Sequence, residues 1–173
     1  MKILKNENQQ TENFLDDFSG SVIDGQSGDI GGNRFSIVVS TYHKSITGRL
    51  LQGAIETLHT AGVADSQITV VWVPGAWEIP IVVKRVLSKS DAVIGLGVVI
   101  KGETTHDQYI NSVVSQSLGQ MALAGDTPIA FGLLTCNTVQ QAEDRCGGKV
   151  GNKGSEAAQA VVELVRLFDG RLK

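Results

Sequence analysis

The chain is poor in the residues that build small stapled or metal-held domains. It has only two cysteines, Cys136 and Cys146, ten positions apart, with no CxxC and no neighbouring histidine. That spacing fits neither a zinc site nor a disulfide framework, and a reduced, cytosolic setting is the simplest expectation. No apolar run approaches the ~18 residues that a membrane span needs. The first ten residues, MKILKNENQQ, have no apolar core and no small-residue cleavage pattern, so no secretory signal is expected. Basic charge is not in excess either: 15 Lys and Arg against 18 Asp and Glu leave a net charge of −3. This gives no reason to expect nucleic acid or an anionic membrane as partner. Aromatic residues make up only 5% and prolines number three, so each one that appears merits a position.

What is present is an ordinary globular composition. The 173 residues, 42% hydrophobic and 19% charged, suit one domain. A chain of this length buries roughly 70% of its unfolded surface and needs no staple. Residues 1–33 are polar and glycine-rich and are expected to form a flexible arm with little helix, disordered at its start. The single folded domain is expected over 34–173, beginning in earnest at Phe35.

Four apolar runs read as strands: 35–40, 68–73, 92–100 and 129–134. Helices are expected between and after them. Residues 45–61 carry Ile46, Leu50, Leu51, Ala54, Ile55 and Leu58 at helical spacing. Residues 78–87 follow, with Pro80 in the first turn. Residues 105–124 turn Ile110, Val113, Val114, Leu118, Met121 and Ala122 inward. Thr138 caps a short helix to 144. A last helix opens at Ser155 with Ala158, Val161, Val162, Val165 and Phe168 as its stripe. Strand and helix alternate four times, which predicts an α/β fold: a three-layer α/β/α sandwich around a four-stranded parallel sheet. The arm is left free to add a strand to a neighbouring subunit.

The stretch DAVIGLGVVIKGETTH, 91–106, organises the rest. A strand buried on both faces changes abruptly into Lys101, Gly102, Glu103, Thr104, Thr105 and His106. Ligands of open parallel sheets bind beyond the carboxyl ends of the strands. The plainer alternative is a strand, a turn and a capping threonine. Other strand ends add Tyr42, the segment Trp77-Glu78 in VPGAWEIP, and the cations Arg145, Lys149 and Lys153. An aromatic face, a carboxylate, a lone imidazole and several cations at one edge suit a small, ring-bearing, anionic substrate.

Nucleotide motifs are incomplete. Gly95-x-Gly97 lacks the third glycine of a dinucleotide fingerprint, because Ile100 stands there. GGKVGNKG lacks P-loop spacing. There is no G-x-S-x-G elbow and no cluster with metal-ligand spacing.

VPGAWEIP, LGVVIKGETTH, FGLLT and GNKG, in this order and spacing, resemble the 6,7-dimethyl-8-ribityllumazine synthase family. The resemblance spans about 34–165 and implies a flavodoxin-like strand order. It implies condensation of 5-amino-6-(D-ribitylamino)uracil with 3,4-dihydroxy-2-butanone 4-phosphate, releasing phosphate and water, with no metal and no organic cofactor. Tyr42 matches the aromatic that stacks on the pyrimidine. Ala76, Trp77 and Glu78 match the ribityl-binding segment, and Val99 and Ile100 the ring-binding one. Glu103 and Thr104 match the phosphate donors, and His106 the proton-transfer histidine. Phe131, Arg145 and Lys153 match residues that a neighbouring subunit contributes, Arg145 being the main phosphate cation.

The resemblance further implies a homopentamer. The short glycine-lysine link before the last helix goes with closure into a sixty-subunit icosahedral shell, which can enclose riboflavin synthase. The sequence departs from the family's common pattern at His43, where Asn is usual. It departs again at Asp107-Gln108, where an aromatic and an acid are usual. Two alternatives remain beside lumazine synthase: a riboflavin synthase of the same fold, and a non-catalytic ligand-binding or shell protein.

Overall fold

The computed structural model describes residues 19–169. Strands β1 (Phe35–Ser40), β2 (Ile68–Val73), β3 (Ala92–Ile100) and β4 (Ile129–Cys136) form one parallel sheet in the order β2-β1-β3-β4. The helices are α1 (Lys44–Thr60), α2 (Ile79–Val86), α3 (His106–Ala124), α4 (Val139–Arg145) and α5 (Lys153–Phe168). The chain steps from β1 outward to β2, then crosses back to β3 on the other side of β1. That reversal sends α1 to one face and α2 and α3 to the other, and α5 joins α1. The predicted three-layer sandwich is what forms.

The central strands explain the layering through their period of two. On β1, Ile37 and Val39 face α1 and α5, while Val38 faces the other layer. On β3, Ala92, Ile94, Leu96 and Val98 join the first core, and Val93 and Val99 the second. Gly95 and Gly97 fall on that second face. With no side chains there, α2 and α3 seat directly on the sheet. A Cβ on Gly95 would come within 3.2 Å of both Ile79 Cγ2 and Leu118 Cδ1, and one on Gly97 would run into Leu133 Cδ1. The glycines that interrupt the apolar run are therefore packing positions of a continuous strand.

Several boundaries differ from expectation. β4 runs on to Cys136, two residues past the predicted end. The last helix begins at Lys153, because Asn152 and not Ser155 caps it: its side chain accepts from Gly154 N at 2.8 Å and Ser155 N at 3.3 Å. Phe168 is 43% exposed and lies outside the buried stripe of α5, and Val113 of α3 is exposed as well. Thr138 does cap α4, accepting from Gln141 N at 3.2 Å. The segment before α5 is not a plain link. It forms a small antiparallel hairpin, β5 (Cys146–Gly148) with β6 (Gly151–Asn152). Gly147 and Gly151 take φ of 107° and 92°, which only glycine adopts freely. Gly148 and Gly154 have a different reason: a Cβ on Gly148 would lie 2.7 Å from Glu143 O, and one on Gly154 would run into Leu50 O where α5 crosses α1.

The arm is only partly what its composition suggests. The disorder expected at its start concerns residues 1–18, outside the described residues. Residues 19–33 contain neither helix nor strand, but they are docked. Gly25 lies against the backbone of Glu163 in α5, and Ile30 is 1% exposed within the α1/α5 core. Arg166 Nε donates to Gly28 O at 3.1 Å, and its Nη1 to Gln26 O at 3.3 Å. The packed unit thus begins before Phe35.

Cys136 and Cys146 are buried and free. Burial pushes both thiols up, partly offset by Arg145 near Cys136 and by Arg49 near Cys146. Among the described residues no helix is long and apolar enough to cross a membrane.

Candidate active site

The strand order reverses between β1 and β3, and a cleft of about 740 Å³ opens over the carboxyl ends of these strands and β2. Open α/β sheets hold ligands at such a point, because the connections leave in opposite directions.

The end of β1 delivers Tyr42, and the chain fixes it through the backbone. Thr41 N donates to Val73 O at 2.7 Å, Tyr42 N to Pro74 O at 3.2 Å, and Thr41 Oγ1 to Pro74 O at 3.0 Å. His43 follows in the left-handed region, φ 56° and ψ 50°, and opens α1. This turn leaves the Tyr42 ring 67% exposed to the cleft side and edge-on to the His43 ring, centroids 4.7 Å apart. Histidine is among the residues that tolerate this conformation.

The end of β2 delivers Ala76, Trp77 and Glu78 on one turn of 3-10 helix leading into α2. Glu78 Oε2 accepts from Gly75 N at 2.9 Å, so part of its carboxylate is spent holding its own loop. Trp77 is 52% exposed and Ala76 is buried. Pro80 stands in the first turn of α2, where no amide donor is missed.

The end of β3 supplies Val98, Val99 and Ile100 as an apolar wall, and Lys101 N is tied to Cys136 O at 2.8 Å. The turn then reaches α3. Thr105 precedes the helix without a side-chain cap, and Gln108 N turns back to Thr105 O at 3.1 Å.

Eight of the residues expected at the site border this cleft: Tyr42, Ala76, Trp77, Glu78, Val99, Ile100, Thr104 and His106. Glu103 does not border it. Phe131, Arg145 and Lys153 also lie elsewhere in this chain. Phe131 is on the open edge of the sheet, 39% exposed. Arg145 ends α4 and donates to Gln141 O at 3.1 Å, and Lys153 pairs with Glu156 at 2.9 Å. The sequence reading missed Asp107, Tyr109 and Ile110 as cleft residues. The signal was available, since Tyr109 and Ile110 stand three and four places after His106 on one helix. Among the described residues no group of three or more His, Cys, Asp or Glu is placed to hold a metal.

The cleft therefore offers an aromatic face, an aliphatic floor, an imidazole and a hydroxyl beside a helix start. Such a set suits a flat heterocycle against the floor, with a proton carrier beside it. Residues 32–169 match the family described as 6,7-dimethyl-8-ribityllumazine synthase. A protein of that name from Rhodopirellula baltica is 46% identical over 147 residues, covering 84% of this chain and 95% of the relative.

Proposed function

The chain belongs to the 6,7-dimethyl-8-ribityllumazine synthase family, and we propose on that footing that it condenses 5-amino-6-(D-ribitylamino)uracil with 3,4-dihydroxy-2-butanone 4-phosphate. The products are 6,7-dimethyl-8-ribityllumazine, phosphate and water, the penultimate step of riboflavin biosynthesis. The observation that carries the reading is the meeting of Tyr42, Val99, Ile100, Thr104 and His106 around one cleft.

The chemistry asks for these groups. The uracil's 5-amino nitrogen adds to the ketone carbon, and loss of water leaves a Schiff base. Elimination then releases phosphate and leaves an enol that tautomerises to a ketone; the ribityl-bearing nitrogen adds to that carbonyl carbon, and loss of a second water completes the second ring. Protons must move on and off nitrogen and oxygen near neutral pH, where imidazole works, and His106 takes that role. Tyr42 stacks on the pyrimidine against Val99 and Ile100. Ala76, Trp77 and Glu78 line the course of the ribityl chain. Thr104 holds the phosphate until it leaves. Much of the acceleration comes from holding two reactants together.

One subunit does not complete this site. Phe131, Arg145 and Lys153 reach it from a neighbouring copy, Arg145 as a guanidinium fork on the phosphate. The assembly proposed is a pentamer, closing further into a sixty-subunit shell in the cytoplasm, with riboflavin synthase a candidate occupant of its interior. Exposed apolar side chains on the α2/α3 layer, Trp77, Ile81, Val113 and Leu123, support burial by other copies.

The test is turnover. Both substrates together should give the absorbance of the lumazine product, and neither alone should. Riboflavin formed from the lumazine alone would favour the related synthase, and pyrimidine binding without turnover would favour a non-catalytic protein.

A further inference from the structure

Three buried side-chain oxygens have no hydrogen-bond partner among the described residues: Ser40 Oγ, Thr47 Oγ1 and Asp107 Oδ1. Two are hydroxyls within the packed fold. Asp107 alone carries a carboxylate, and it alone of the three borders the cleft. Its place on α3 makes this unusual. Positions 107, 110, 114 and 118 follow helical spacing, and Val114 and Leu118 are buried in the second core. An acid thus occupies the first inward-facing position, where the rest of the helix puts aliphatic side chains.

The helix start accounts for the charge but not for the unpaired oxygen. An anion in the first turn is favoured by the helix dipole. That does not replace a hydrogen bond, and a buried acceptor left unpaired is costly. His106 is not the missing donor, because adjacent helical residues point to different sides. A donor brought by a ligand would meet the need. Rotation about the broad, two-fold χ2 of aspartate can present either oxygen to the cleft.

We infer that Asp107 is a substrate-positioning residue that accepts a hydrogen bond from an N–H or O–H of the pyrimidine substrate. The inference rests on the proposed function above. Of the two reactants, the aminouracil is rich in such donors, whereas the phosphate ester is an anion that a carboxylate repels. Asp107 therefore discriminates between the reactants and fixes which end of the cleft the pyrimidine takes.

The test compares Asp107→Leu and Asp107→Asn in the assembled protein. Leucine continues the aliphatic face and removes the acceptor, while asparagine keeps a carbonyl oxygen. Pyrimidine affinity is read from fluorescence, with Trp77 at the cleft, and both Michaelis constants from turnover. Asp107→Leu should bind the pyrimidine about ten- to a hundred-fold more weakly, with KM for the phosphate substrate unchanged or lowered, since the repelling carboxylate is gone. Its melting temperature should equal or exceed that of the wild type, since the unpaired oxygen is gone. Asp107→Asn should regain most of the affinity. Unaltered pyrimidine binding by Asp107→Leu, or equal loss for both substrates, would overturn the inference alone. If the wild type fails to bind the pyrimidine, the proposed function falls and takes this inference with it.

Discussion

Single residues in this protein carry distinct parts of the proposed chemistry, and their removal should be separable. Arg145 is exposed at the end of α4 and, among the described residues, hydrogen-bonds to a backbone carbonyl of its own helix. It is free to turn toward another copy. Arg145→Ala should lose about 2–4 kcal/mol of transition-state stabilisation, read from kcat/KM, with pyrimidine affinity little changed. Wild-type kinetics in that variant would remove the phosphate assignment. His106→Ala should lower turnover about 10²-fold, the lower end for general acid–base catalysis, because the condensation is intrinsically easy. Identical turnover across the pH range would leave the imidazole a structural group. Eight of the residues lining one subunit's cleft were readable because they lie at or just beyond a strand end, whereas Tyr109 and Ile110 lie further along α3 and were missed. Asp107 was not readable, because its significance lies in an unpaired oxygen, and sequence does not reveal which donors fail to arrive.

At the scale of elements, the fold follows from runs and periods that sequence displays openly. Fully buried β1 and β3 are continuous apolar runs, and half-buried β2 and β4 stand at the edges. The hairpin β5-β6 was not legible, since two paired residues among glycines leave no periodic signal. Nor was the docking of residues 19–33, which depends on carbonyls accepting from Arg166, on a glycine against Glu163 and on one buried side chain, Ile30, too little to leave a periodic pattern. The crossing of α1 and α5 is the element contact most sensitive to size. Gly154 lets the α5 backbone meet the Leu50 carbonyl. Gly154→Ala should destabilise by about 1–3 kcal/mol, seen as a lower urea midpoint with unchanged slope. An unshifted midpoint would show that the crossing relaxes at no cost.

For the whole molecule, the proposed mechanism makes assembly a condition of activity. Light scattering of purified protein should give a mass of sixty chains. A mass near five chains would replace the shell with a free pentamer. A mass of one chain with full activity would end the shared-site mechanism altogether. The hairpin bears on this choice, because it joins α4 to α5 and sets the direction in which the chain enters α5. Gly147 and Gly151 fix its turns by positive φ. The path into α5 is thus a defined structure that a shell can use repeatedly.

The two layers flanking the sheet are unequal. The α1/α5 side holds the larger buried cluster and is further covered by Ile30, whereas the α2/α3 side holds the smaller one, beneath the cleft. Cooperative opening follows buried apolar contact. In protein diluted until assemblies dissociate, amide hydrogens of α2 and α3 should therefore exchange with deuterium before those of α1 and α5. Association should slow the first pair selectively. Equal exchange in the four helices of the dissociated chain would show that the thinner layer is not the weaker one. With the predicted order, the wall that carries His106 is the part of the molecule whose rigidity is supplied from outside, and occupancy of the cleft would be tied to subunit concentration by mass action.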